Sequence, residues 1–127
     1  MIWARDYLNT PTDAFVVTEE AYQSRKDFLR RFLRAYRKGT QWMIDHPDDA
    51  AQLAVKYATD GQDPQRSLEI IKLRNASSVN DGTRRHGLGW FEPDVMRQVE
   101  STFFDLGLTK THFDVVAAYT NEFVEQG

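Results

Sequence analysis

The sequence has 127 residues, enough for one domain, and its 41% hydrophobic content is sufficient for a core. The net charge of −3 argues against a dedicated nucleic-acid binder, and the absence of cysteine excludes disulfides and cysteine ligands. No apolar run approaches the roughly 20 residues of a membrane span. The first residues lack the pattern of a signal peptide, so the chain as written is expected to stay in the cytoplasm.

The chain begins with a predicted irregular arm over residues 1–13, which end in turn formers. Residues 14–18, Ala-Phe-Val-Val-Thr, are apolar and β-branched, as in a short buried strand. Each backbone group left unpaired in a lone buried strand costs about 1–3 kcal/mol. We therefore expect pairing with residues 3–8, with residues 113–116 or with another chain, and the last option predicts a homo-oligomer.

Residues 19–125 predict five or six helices. A short first helix covers residues 19–23. A longer one covers residues 26–44, where apolar residues recur at spacings of three and four. Ser24 is predicted to cap this second helix, with Asp27 three residues later in a box-like arrangement.

Three further helices are predicted from a proline that suits the first helical position. These prolines are Pro47, Pro64 and Pro93. The predicted buried face of the first of these helices consists of Ala50, Leu53, Ala54 and Tyr57. A last short helix is predicted over residues 114–124.

Residues 75–91 are rich in Asn, Ser and Gly and predict one long loop, a kind of segment that is often functional or mobile. Arg84 in this loop is a candidate anion ligand, and Trp90 is a candidate platform for a planar ring. The alternative is a solvated loop with one buried tryptophan.

Other chemistry is not predicted. The three histidines are far apart, so no metal site is expected. The adjacent carboxylates at helix starts are explained by capping, so no catalytic residue and no cofactor is expected. Basic residues concentrate on the helix over residues 26–44, and we interpret them as a solvated face rather than a nucleic-acid site.

Several motifs occur in a characteristic order. They are residues 17–20 (Val-Thr-Glu-Glu), residues 34–39 (Arg-Ala-Tyr-Arg-Lys-Gly), Trp42, residues 46–50 (His-Pro-Asp-Asp-Ala), residues 87–91 (Gly-Leu-Gly-Trp-Phe), Gly107-Leu108 and residues 119–123 (Tyr-Thr-Asn-Glu-Phe). This order resembles the C-terminal part of ABC-importer solute-binding proteins for nitrate, taurine, alkanesulfonates, riboflavin and thiamine pyrimidine precursors. The resemblance extends over nearly the whole chain.

The resemblance implies the type 2 periplasmic binding protein fold, in which two α/β lobes hold a ligand in the cleft between them. This chain would form its C-terminal portion, mainly α with one or two short strands. In the family the segment that crosses between the lobes lies along the cleft. That position implies a ligand site at Trp3, Asp6, Tyr7 and Thr12, where an aromatic ring stacks on the solute and Asp6 accepts hydrogen bonds. The alternative is that Trp3 and Tyr7 only pack.

Two functions follow from these observations. The first is a non-catalytic module, of or derived from an ABC transporter substrate-binding protein. It would bind a small planar or anionic solute and, in a full-length periplasmic protein, meet an ABC permease. The alternative is a free-standing helical interaction protein that self-associates and has lost the transport role. Because the sequence lacks a counterpart of the first lobe, residues 1–127 are interpreted as a single domain or a fragment.

Overall fold

The fold is mainly helical, as predicted. The structure is a computed structural model that describes residues 10–11, 13–59, 61 and 63–124. Its helices are α1 (Glu19–Ser24), α2 (Lys26–Asp45), α3 (Pro47–Tyr57), α4 (Pro64–Ser78), α5 (Asp81–His86) and α6 (Pro93–Asp105), followed by a 3₁₀ helix, η1 (Val115–Ala118).

The predicted strand over residues 14–18 is wrong, because this segment has no regular secondary structure. It is also exposed rather than buried, and Val16 is 90% exposed. Of its predicted partners, residues 3–8 lie outside the described residues and residues 113–116 run into η1. A strand needs a neighbour, and none of the described segments is a strand.

The three proline-marked helix starts are confirmed. Pro47, Pro64 and Pro93 each stand in the first turn of a helix. Asp63 precedes Pro64 and caps α4, because its carboxylate accepts hydrogen bonds from two backbone N–H groups of the first turn. These signals are local, so they can be detected without knowledge of the tertiary structure.

The predicted cap of α2 is wrong. Ser24 is the last residue of α1, and its hydroxyl donates a 2.7 Å hydrogen bond to the carbonyl of Glu20. Arg25 takes the cap position of α2 without a side-chain bond. Thr18 caps α1 instead, because its hydroxyl oxygen accepts from the backbone N–H of Ala21 at 3.2 Å.

The predicted long loop over residues 75–91 is largely helical, so this prediction is wrong. Three polar side chains of its first part donate hydrogen bonds while their backbone lies in α4. Asn75 Nδ2 donates to the carbonyl of Met43 at 3.1 Å, and the hydroxyls of Ser77 and Ser78 donate to carbonyls four residues earlier. These three side chains therefore hydrogen-bond to carbonyl groups while the backbone stays helical, and α5 then begins at Asp81.

The predicted last helix over residues 114–124 is reduced to η1. Asp114 starts this short helix by accepting from the backbone N–H of Val116 at 3.1 Å. Tyr119 then takes an extended conformation, and the chain leaves the helical path. The residues beyond it make contacts with distant parts of the chain, which a continuous helix would prevent.

The buried core lies between α3 and α4, which pack closely together. Ala50 and Ala51 of α3 meet Ile71 of α4, and Met43 and Leu68 pack against this cluster. Of the predicted α3 face, only Ala50 is buried, and the residues Leu53, Ala54 and Tyr57 are exposed. The contact runs through two adjacent alanines, whose small size lets the helices approach.

Candidate functional site

The helix α5 carries the predicted anion ligand and is fixed by a reciprocal cap. Asn80 Oδ1 accepts from the backbone N–H of Thr83 at 2.9 Å, and Thr83 Oγ1 accepts from that of Asn80 at 2.8 Å. The helix ends at Gly87, whose φ of 106° is a conformation that favours glycine. Three basic residues therefore fall in the last turn, Arg84, Arg85 and His86.

Arg84 is exposed. Its Nη1 atom lies 3.0 Å from Asp81 Oδ1 in an ion pair within α5, with side chains 65% and 86% exposed. Arg85 Nε donates to the carbonyl of Asp81 at 3.1 Å. An exposed pair of this kind is weak, so an anion can compete for the Arg84 guanidinium at small cost.

Trp90 is packed against the helix that Arg84 occupies. Its ring lies over His86, with centroids 4.1 Å apart and an interplanar angle of 20°. A Cβ atom at Gly82 would come within 3.3 Å of Trp90 Cδ1, so the ring also lies against the start of α5. The indole Nε1 is buried and has no acceptor among the described residues.

Asn121 holds the loop between α5 and α6, which is residues 87–92. Its Oδ1 atom accepts from the backbone N–H of Phe91, and its Nδ2 atom donates to the Phe91 carbonyl, both at 2.9 Å. The ring of Phe91 contacts Tyr119 edge-on at 5.4 Å. This two-bond clamp positions the residue that follows Trp90.

Glu122 ties the end of the chain to α1 and α2. Tyr22 Oη donates a 2.7 Å hydrogen bond to Glu122 Oε2, and Lys26 Nζ lies 3.3 Å from Oε1. The Tyr22 hydrogen bond, assisted by Lys26, lowers the pKa of Glu122 below its ordinary value. The hydrogen bond to Glu122 raises the pKa of Lys26.

A shallow basic depression lies where α2 meets the loop after α5. It is lined by Arg37, Lys38, Gln41, Gly87 and Leu88. Arg37 is partly committed, because its Nη1 atom donates to the carbonyl of Val124 at 2.7 Å. A second open depression lies on the basic face of α2 and is lined by Asp27, Arg30, Arg31 and Arg34.

The predicted arm residues Trp3, Asp6, Tyr7 and Thr12 lie outside the described residues. Of the predicted ligand set, the structure therefore places Arg84 and Trp90, which share the α5 region, although none of the described contacts joins them directly. Within the described ranges, no cluster of three or more metal-binding side chains occurs. No helix in the same ranges is long and apolar enough to cross a bilayer.

Comparison with known proteins supports the resemblance that the motifs indicate. The NMT1/THI5-like family matches residues 1–50. The Riboflavin-binding protein RibY of Chloroflexus aurantiacus is 27% identical over 129 aligned positions, which cover 100% of this chain and 37% of that protein. The chain is therefore similar to a riboflavin-binding protein over its whole length and to the NMT1/THI5-like family over residues 1–50. It spans less than two fifths of the length of this curated relative. No solved structure gives a significant match.

The two matches cover different extents of the described structure. The family match over residues 1–50 includes α1, α2 and the start of α3. Asn121 and Glu122 lie outside that range. They are covered by the match to RibY. Both residues belong to the motif at residues 119–123, but the sequence alone predicts no role for either of them. Their partners lie far away in the sequence, at Phe91 for Asn121 and at Tyr22 and Lys26 for Glu122, so a local reading could not find them.

Proposed function

We propose that the chain is part of a small-molecule binding protein of an ABC importer and that it performs no catalysis. The observation that supports this function is the similarity to RibY, which extends over the whole chain. The name of RibY describes riboflavin binding, and a planar solute of this kind is the first candidate ligand. None of the comparisons supports the alternative of a free-standing interaction protein. A periplasmic location and an ABC permease as partner are further parts of the proposal.

The α5 region supplies one side of the proposed ligand site. Arg84 offers an exposed guanidinium to an anionic group, and its present partner is an exposed carboxylate on the same helix. The indole N–H of Trp90 is buried and has no acceptor in the described part of the chain, so a ligand reaches it only after a neighbouring group moves. One face of its ring is occupied by His86, so a ligand would meet the indole from its edge or its other face.

The arm residues complete the proposed site. We assign ligand contacts to Trp3, Asp6, Tyr7 and Thr12 on the basis of the family resemblance. Two aromatic rings and one carboxylate are the groups that a planar heterocycle with N–H donors requires.

Thermal unfolding with candidate solutes tests this function. Riboflavin, taurine, nitrate and a thiamine pyrimidine precursor are each added to the chain. A bound solute at a hundredfold excess over its Kd stabilises the fold by about 2.7 kcal/mol. If none of the four raises the unfolding temperature, the chain does not bind these solutes and the proposal fails.

A pair of matched variants then tests the α5 region. Arg84→Gln removes the proposed anion ligand. Arg97→Gln removes the same type of residue from an equivalent ion pair with Asp94, three residues apart on α6. The proposed site predicts weaker binding for Arg84→Gln and unchanged binding for Arg97→Gln. Equal affinities would remove Arg84 from the site.

A further inference from the structure

Residues 119–124 form a short segment that connects η1 to α1 and α2, and we call this segment the strap. It contains no helix or strand. The carboxylate of Glu122 accepts a 2.7 Å hydrogen bond from Tyr22 Oη and lies 3.3 Å from Lys26 Nζ. The ring of Phe123 lies edge-on to the ring of Tyr22, with centroids 6.2 Å apart. The strap is therefore attached to both α1 and α2.

The strap also holds both ends of the loop between α5 and α6. Near the end of this loop, Asn121 makes two hydrogen bonds of 2.9 Å with the backbone of Phe91. At its start, a Cβ atom on Gly87 would lie 3.5 Å from Cγ1 of Val124, so the strap packs against the backbone there. Trp90 lies in the sequence between these two contacts. The strap therefore restrains the loop on both sides of this tryptophan.

The contacts of the strap are of a kind that opens more easily than the core. The helices α2, α3 and α4 pack on one another, whereas α6 packs on η1. The ion pair of the strap is partly exposed, with the Lys26 and Glu122 side chains 39% and 32% exposed. Regions with exposed hydrogen bonds and few buried apolar contacts open locally at a lower free energy than the core. A turn in which the N–H of Val124 donates to the carbonyl of Asn121 at 2.9 Å connects the strap into one unit.

We infer that the strap opens and closes as one unit, and that its release from α1 and α2 frees the loop between α5 and α6 and exposes the indole N–H of Trp90. Asn121 and Glu122 are adjacent, so a shift of the Glu122 tie also moves the clamp on Phe91. The buried indole N–H has no acceptor in the described part of the chain. It gains a partner when the loop opens, which favours opening. The bearing of this motion on ligand access rests on the proposed function, whereas the motion itself does not.

Hydrogen exchange followed by NMR on the 127-residue chain, without any ligand, tests the inference. The reporters are the backbone N–H of Phe91, the indole N–H of Trp90 and the backbone N–H of Ile71 in the core. Glu122→Ala removes the tie to α1 and α2. Both N–H groups of the loop should then exchange faster by about tenfold or more, although no described contact joins them to Glu122. The Ile71 amide should keep its wild-type rate, because the core stays closed.

Two further variants make the test specific. Glu69→Ala removes the same side chain from an exposed position on α4 and should leave all three rates unchanged. Tyr22→Phe removes only one partner of Glu122 and should give a smaller acceleration at the same two N–H groups. This milder variant decides the matter if Glu122→Ala loses its helical circular dichroism.

Three results would overturn the inference. Unchanged exchange of Phe91 would show that the tie and the clamp open independently. Faster exchange of Phe91 with an unchanged Trp90 indole would show that the loop opens without exposing this group. Equal acceleration of the Ile71 amide would indicate unfolding of the whole structure rather than release of the strap. Because no ligand is present, failure of this inference is distinguishable from failure of the proposed function.

Discussion

Single side chains at the end of the chain hold distant parts of the structure together. The side chain of Asn121 hydrogen-bonds to both the backbone N–H and the carbonyl of Phe91, as a neighbouring backbone would. Glu122 is held by a phenol and an ammonium group from α1 and α2. The core contains few buried side chains, so these polar contacts have a larger share in positioning the loop that carries Trp90.

Replacing Asn121 by alanine should lower the free energy of unfolding by about 1–3 kcal/mol, because it leaves two part-buried backbone groups of Phe91 unpaired. Urea unfolding followed by circular dichroism measures this loss. Gln52→Ala, at an exposed position on α3, is the control and should stay within about 0.5 kcal/mol of the wild type. Equal effects of the two substitutions would contradict the clamp.

The Glu122 contacts predict a dependence of stability on pH. The pKa of Glu122 is lowered in the folded state, mainly by the Tyr22 hydrogen bond. A lowered carboxyl pKa stabilises the fold above the unfolded value of about 4.3, and this contribution is lost as the pH falls through the folded-state pKa. Glu122→Gln should therefore lower the urea midpoint at pH 7, and its difference from the wild type should shrink below about pH 4.3.

Tyr22→Phe separates the two partners of Glu122. It removes the hydroxyl donor and keeps Lys26, so an NMR titration should show the pKa of Glu122 shifted upward, toward the ordinary value of a glutamate. An unchanged Glu122 titration in Tyr22→Phe would show that the phenol is not the dominant cause.

At the scale of elements, the proline-marked helix starts could be predicted, and segments with non-local partners could not. The Asp63-Pro64 signal is complete within a few residues, and α4 begins there. The strand over residues 14–18 depends on a neighbour that local sequence does not specify. The last turn of α4 includes Asn75, whose amide bonds to a carbonyl of α2 that local sequence does not specify. The Arg84 and Trp90 assignments stay predictions, since the described contacts include no ligand.

Two glycines in helices should respond to alanine in opposite ways. Gly39 lies inside α2, and a Cβ there would meet nothing within 4 Å. Gly39→Ala should raise the free energy of unfolding by about 0.5–1 kcal/mol, because alanine restricts the unfolded chain and favours helix. At Gly82 in α5, a Cβ would lie 3.0 Å from Glu92 Oε2 and 3.2 Å from the capping oxygen of Asn80.

Gly82→Ala should therefore lower the free energy of unfolding, since the Asn80 cap or the Trp90 ring must move. Urea unfolding of both variants under the same conditions compares them directly. A stabilised Gly82→Ala variant would show that Glu92, Asn80 and Trp90 move aside without an energetic penalty. The packing around Trp90 would then be loose.

At the scale of the whole molecule, the buried core and a group of exposed aromatic rings lie on different helices. The buried cluster of Ala50, Ala51 and Ile71 joins α3 to α4. The rings of Phe28, Phe32 and Tyr36 lie on α2 and remain exposed. Substitutions in the buried cluster should therefore change the stability of the fold more than substitutions of exposed apolar residues.

Ile71→Ala and Ile70→Ala test this difference at neighbouring positions of α4. Ile71 is 8% exposed and packs in the buried cluster, so its truncation should lower the free energy of unfolding by about 2–5 kcal/mol. Ile70 is 46% exposed, so the same truncation should cost less than it does at Ile71. Urea unfolding of both variants measures the two losses, and equal losses would contradict a core between α3 and α4.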